Sequence, residues 1–230
     1  MVKIRKSEDR GFVDHGWLKA RHTFSFGSFY DPENMHFGPL RVINQDKIAA
    51  HSGFPQHPHE DMEIITYIIK GELSHKDNTG GGSTIYPGRI QRMSAGKGIQ
   101  HSEFNDSNAE TELLQMWLIP DQKGHKPGYE EKYFDSEPAQ NKLQLLVSGY
   151  RNSDALEINR AVNFYRSFLD SGKELFHESI GKYLWLQLIE GTVDVNGNIL
   201  NEGDAIGFKD EESLKIIANS NAHFVLFDMN

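Results

Sequence analysis

Two short stretches of this chain carry paired side chains able to bind a metal, His57-Pro58-His59 and His101-Ser102-Glu103. In each, the two candidates stand two residues apart. Successive side chains on a β-strand alternate faces, so residues i and i+2 project to the same side. On a helix the same spacing would separate them by about 200°. Read as neighbouring strands of one sheet, the stretches bring three imidazoles and one carboxylate to one point. That donor set suits a divalent first-row transition metal, whereas Mg and Ca take oxygen ligands. A lone His-x-His is a weak signal in a chain with 11 histidines. Two pairs at strand spacing, each beside a glycine or proline turn, are a stronger one. The plain alternative is that His57 and His59 are exposed loop histidines and Glu103 is a solvated acid.

The other histidines (His15, His22, His36, His51, His75, His125, His177 and His223) read as surface or core hydrogen-bonding residues, with His36 and His51 as candidates for a pocket mouth. Glu63 shares the parity of His57 and His59, which makes it either a fifth ligand or an acceptor for a histidine N–H. Glu60-Asp61 reads as a solvated pair. No competing nucleophile stands out: there is no Gly-x-Ser-x-Gly elbow and no cysteine. Gly80-Gly81-Gly82 lacks the following lysine of a phosphate loop and reads as a hairpin turn.

The elements that must position these residues are short strands. Glu63 to Ile69 is a β-branched and aromatic run stopped at Gly71, and Leu113 to Ile119 is another, ended by Pro120. Pro58 has no N–H to give a ladder, so the first ligand pair belongs on an edge, at a strand end or at a bulge. His22 to Gly27 reads as a short strand with Phe24 and Phe26 on one face. Leu40 to Asn44 reads as a strand, and a second begins at Asp46. Residues 121 to 141 are polar and read as a connection, with Tyr129 to Phe134 added to a sheet or Gly128 to Tyr133 holding a turn of helix; Asp154 to Asn159 is the other helical candidate. The strand rhythm then resumes from Leu143. Tyr183 to Gly191 echoes the run ending at Gly71, and Asn196-Gly197 supplies a type I′ hairpin turn. Both halves follow one order: apolar strand, glycine, hairpin, glycine turn, late apolar strand. This internal repeat predicts two small β-barrels of similar build.

Bulk properties set limits. A length of 230 residues with 37% hydrophobic and 11% aromatic content is enough for a packed core and excludes a disordered chain. A formal charge of −9 without a basic stripe argues against nucleic-acid binding. No apolar run approaches a membrane span and the first residues lack a secretory h-region, so the expectation is a soluble cytoplasmic protein.

The segments HTFSFGSFYDP, FGPLRVIN, HPHEDMEIITYIIKGELSHKD and MSAGKGIQHSEFN resemble the pirin family of the cupin superfamily, and among its members the bacterial quercetin 2,3-dioxygenases. The likeness runs through the N-terminal half and more loosely through the rest. It implies an all-β bicupin, two jelly-roll-like barrels packed against each other, with a metal-binding barrel at residues 1–135 and a barrel without metal at 136–230. The family's H-x-H and H-x-E ligands fall on His57, His59, His101 and Glu103. Iron(II) is the ion the resemblance implies, although the donor set also accepts Zn, Ni, Cu, Mn or Co.

The implied activity is O2-dependent cleavage of a flavonol ring with release of CO. Glu103 would be the base for the flavonol hydroxyl, and Phe24, Phe26 and Met62 are candidate walls for a flat ligand. A non-enzymatic pirin acting as a regulatory protein-interaction module is the alternative. An isomerase or sugar-binding cupin ranks last, because no acid–base pair stands apart from the ligands.

Overall fold

The computed structural model describes residues 1–151 and 154–230. Among them the chain is built of β-strands and one short 3-10 turn, Glu137–Ala139, and no helix is long and apolar enough to cross a membrane. Two compact units result: Gly11–Phe134 with Ile158–Arg160, and Met1–Arg10 with Asp135–Glu157 and Ala161–Asn230.

The unit that carries the candidate ligands has a seven-stranded and a four-stranded sheet. The large sheet runs in the order Gly128–Tyr133, Arg89–Ser94, Glu63–Lys70, Thr111–Leu118, Leu40–Ile48, Leu18–His22, Gly11–Asp14. The small one runs Ser52–His59, Ile99–Asn105, Leu73–Asp77, Gly82–Ile85. Glu63–Lys70 is the most apolar run and lies inside the large sheet, buried over its first six residues, as a run without polar alternation requires. The chain leaves it at Gly71, at φ 81°, where an added Cβ would lie 2.6 Å from the Thr111 hydroxyl; only glycine meets both demands. The two sheets share a core: Leu18, Ile48, Ile68 and Leu113 of the large sheet pack with Leu73 and Ile85 of the small one.

The second unit repeats this build. Its large sheet runs Val2–Arg5, Ala205–Lys209, Tyr183–Glu190, Ala222–Met229, Val162–Leu169, Gln144–Ser148, Leu156–Glu157, and its small sheet Glu174–Glu178, Ser213–Ala218, Thr192–Val195, Asn198–Asn201. Gly191, at φ 87°, ends the central strand as Gly71 does in the first unit. Asn196 (φ 50°) and Gly197 (φ 82°) form the hairpin turn that their sequence predicts.

Several expectations are corrected. The sheets stay open as jelly-roll-like layers and do not close into barrels. Residues 1–10 belong with the C-terminal unit, because Val2–Arg5 pairs antiparallel with Ala205–Lys209. Gly128–Tyr133 is a strand added to the large sheet beside Arg89–Ser94, the first of its two expected readings, and Leu156–Glu157 is a strand and not a helical turn. Leu40–Ile48 is one strand of nine residues. The strand expected at His22 to Gly27 stops at His22, and Phe26 then closes a bridge with Phe29.

Candidate metal centre

The small sheet of the first unit brings the two ligand pairs together. Ser52–His59 is its edge strand, so the missing N–H of Pro58 interrupts no interior ladder. It pairs antiparallel with Ile99–Asn105, placing His101 directly opposite His57. The register slips by one residue between His101 and Glu103, which faces Phe54. That bulge lies between the two ligand-type residues, where such irregularities re-aim side chains. On its other side Ile99–Asn105 pairs with Leu73–Asp77, setting Glu103 opposite His75 and His101 opposite Asp77.

The ring centroids of His57, His59 and His101 stand 4.8, 4.4 and 4.9 Å apart in the pairs 57–59, 57–101 and 59–101. One ligand atom from each lies within 4.8 Å of the others. A second triplet, His75, His101 and Glu103, meets the same criterion. The four predicted residues therefore appear as two overlapping groups that share His101, with Glu103 in the second. His57 donates Nδ1–H to the Pro55 carbonyl at 2.8 Å, which leaves the Nε2 lone pair for a ligand. His101 Nε2 and Glu103 Oε1 are buried and make no hydrogen bond among the described residues. Two orphaned buried polar atoms in one cluster are what a missing cation would satisfy, so the residues fit a divalent metal.

Burial sets the electrostatics. It lowers His59 to about 4 and His101 to about 2, helped in each case by neighbouring histidines. Both rings are neutral at pH 7, the form that ligates. Burial raises the Glu103 carboxyl to about 7, against the opposing hydrogen bond from Gln115. Gln115 donates Nε2–H to Glu103 Oε2 at 2.7 Å and accepts from Trp117 Nε1 at 3.3 Å.

The cluster opens on a cavity of about 290 Å³, near the lower bound of small-molecule sites at about 300 Å³. Its walls include Phe26, Phe54 and Trp117, with His22, Asn44 and Asp46 supplying polar groups. The Phe26 and Trp117 rings meet edge to face at 5.3 Å. Of the expected walls only Phe26 lines this cavity. Phe24 is 1% exposed in the core, and Met62 packs on Ile64, Met93, Ala95 and Ile99. His36 and His51 are not among its lining residues; they bond to the Gly38 carbonyl and to Asn108.

Glu63 is neither a ligand nor a histidine acceptor. Its carboxylate accepts from Ser94 Oγ and from the backbone and side chain of Asn159. His75 departs furthest from its expected bland role. It is 1% exposed, stacks on Tyr129 at 4.5 Å and contacts both His101 and Asp77. The signal for it was present: His75-Lys76-Asp77 has the same i, i+2 spacing as the two pairs that were singled out.

Comparison with known proteins identifies the family. The pirin family profile matches residues 3–118, and a profile described as the quercetinase C-terminal cupin domain matches residues 145–229. A quercetin 2,3-dioxygenase of Escherichia coli is 39% identical over 231 aligned positions, covering 100% of this chain and 99% of the relative. A pirin-like protein of Caulobacter vibrioides is 42% identical over 99% of both chains. The crystal structure of the bacterial pirin YhhW from E. coli in complex with nickel(II) superposes with a TM-score of 0.94 at 38% identity, over 100% of this chain and 99% of that one. With likeness of this extent in sequence and fold, the chain belongs to the pirin family.

Proposed function

We propose that the chain is a metal-dependent dioxygenase that cleaves the heterocyclic ring of flavonols such as quercetin with O2, giving a depside and CO. One observation carries this reading: three imidazoles cluster at the wall of an aromatic-lined cavity, His101 among them also grouping with the buried Glu103, with two ligand-type atoms left unpartnered. The names of relatives add support, among them the E. coli quercetin 2,3-dioxygenase and the nickel(II) complex of YhhW.

In this reading His57, His59, His101 and Glu103 hold a divalent ion, and iron(II) is the resident metal we assign; the same donors take nickel and its neighbours. The ion, when bound, supplies a Lewis acid with open positions that favours the ionised form of the flavonol hydroxyl. The remaining work falls to the chain. Phe26, Phe54 and Trp117 hold the flat substrate and exclude water. Glu103 takes the hydroxyl proton on Oε1 while Gln115 anchors Oε2. As a carboxylate it can accept that proton and later return it. The ring-opened carboxylate product then leaves with CO, so both atoms of O2 end in the depside.

The test is O2 uptake and CO release with quercetin, on protein stripped and reloaded with each metal in turn. Turnover is expected with at least one ion and is lost in His101→Ala along with the metal. No CO from any fully occupied form would reject the flavonol reading.

A further inference from the structure

Behind His101, on the side away from the cavity, lies a second buried pair that the proposed chemistry does not use. His75 and Asp77 share the strand Leu73–Asp77, and their side chains are fully screened from solvent. Asp77 Oδ1 accepts from the Thr79 N–H at 2.7 Å, the Thr79 hydroxyl at 2.6 Å and the Gly81 N–H at 3.0 Å. Its Oδ2 lies 3.0 Å from His75 Nε2. Three hydrogens donated to Oδ1 hold the group as a carboxylate, so His75 Nε2 carries a hydrogen and donates it to Oδ2. The lone pair of neutral His75 is then on Nδ1, which faces His101 Nδ1 at 3.3 Å. Only a hydrogen on His101 Nδ1 satisfies that contact, and it leaves the His101 lone pair on Nε2, the buried atom without a partner. Tyr129 stacks on the His75 ring at 22° and keeps it from turning.

We infer that Asp77 and His75 form a buried hydrogen-bonded chain that fixes His101 in the tautomer and ring orientation a metal ligand needs. Both are positioning residues. The chain starts in the glycine turn that follows Asp77 and ends at the ligand shared by the two triplets. It also passes the carboxylate's charge toward His101, which strengthens an imidazole as a donor. This inference rests on the reading that His101 binds a metal. A pair that served the fold alone would leave metal affinity and the His101 tautomer unmoved.

The test uses the full chain and nickel(II) alone. His75→Phe keeps an aromatic ring against Tyr129 and breaks the chain; Asp77→Asn keeps one acceptor oxygen for His75. Nickel(II) affinity, from competition with a chelator, is expected to fall about 10- to 100-fold in His75→Phe and by less in Asp77→Asn. Long-range proton–nitrogen spectra of the imidazoles, taken without metal, should show His101 with Nδ1–H in the wild type and a tautomer mixture in His75→Phe. Should His75→Phe fail to fold, Gly81→Ala replaces it: its Cβ would lie 2.3 Å from Asp77 Oδ2 and push the carboxylate aside with His75 intact. Affinities within twofold of wild type with an unchanged His101 tautomer would overturn the inference. Wild-type protein that takes up no nickel(II) would overturn the metal reading, and the metal-free spectra would still decide the chain.

Discussion

Glu103 should make the stability of the metal-free protein depend on pH in a way one substitution isolates. Its carboxyl is 1% exposed and is raised from 4.5 to about 7, chiefly by burial. A difference of about 2.5 pKa units at about 1.4 kcal/mol each makes the ionised form about 3 kcal/mol less stable in the folded unit than in the unfolded chain. A raised folded pKa means that the stability contribution is whole below pH 4.5, where both states are protonated. It falls as pH rises toward 7, because only the unfolded chain releases the proton, and is flat beyond. His59 and His101 act in the opposite sense. Their lowered values withdraw stability as pH drops below 6.5. Glu103→Gln keeps those histidines, and the neighbouring charges that act on His101 are those of His57, His59, His75 and Asp77. Urea unfolding of chelator-treated wild type and variant from pH 4.5 to 8.5 then isolates the carboxyl. The stability difference should move by about 3 kcal/mol in favour of the variant, at about 1.4 kcal/mol per pH unit up to 7. A difference that stays constant with pH would refute the reasoning, since Glu103 would then titrate as an ordinary solvated acid.

Gln115→Leu removes the donor 2.7 Å from Glu103 Oε2; a hydrogen bond to a charged group is worth about 1.5–3 kcal/mol, so in the metal-free protein the Glu103 carboxyl should titrate about one unit or more higher, as read by carbon NMR of the labelled side chain. Trp117→Ala opens the aromatic wall beside Phe26 and His59; KM for quercetin should rise about tenfold with metal content unchanged, as read by steady-state kinetics and elemental analysis. Leu186→Ala in the second unit empties a fully buried site and should cost about 2–5 kcal/mol of stability, while nickel(II) stoichiometry by titration stays as in the wild type.

The residues that could be read from sequence are those whose signal is local. Alternation puts His57 with His59 and His101 with Glu103 whatever the rest of the chain does, and Pro58 excludes an interior strand. Gly71, Gly191 and the Asn196-Gly197 turn are equally local, being set by backbone angles. What escaped notice depends on distant partners. The pairing of Val2–Arg5 with Ala205–Lys209 spans nearly the whole chain, and no periodicity in either segment announces it. Glu63 has the parity of a ligand, yet Asn159 and Ser94 claim it. His75 fell between these cases: its spacing to Asp77 was visible, but its value comes from the register that sets Glu103 opposite it.

The second unit shows that this fold does not require the polar cluster. In the corresponding small sheet, Ser213–Ala218 takes the place of Ile99–Asn105 and Thr192–Val195 that of Leu73–Asp77. The buried positions there are Leu214, Ile216, Ala218, Val193 and Val195, all in one apolar core. The first unit buries His101, Glu103 and His75 on its equivalent strands. Apolar burial stabilises a sheet interface, whereas burying imidazole and carboxylate groups without full hydrogen bonding costs stability. On these paired strands the second unit buries aliphatic side chains alone, whereas the first buries ionisable ones beside its aliphatic ones, which places the stability cost of the candidate site on Leu73–Asp77 and Ile99–Asn105. The bulge between His101 and Glu103, the proline-bearing edge strand and the orphaned His101 Nε2 all lie in that unit. An interior under selection for packing alone would have had Leu, Ile or Val at those positions, as its sister unit does.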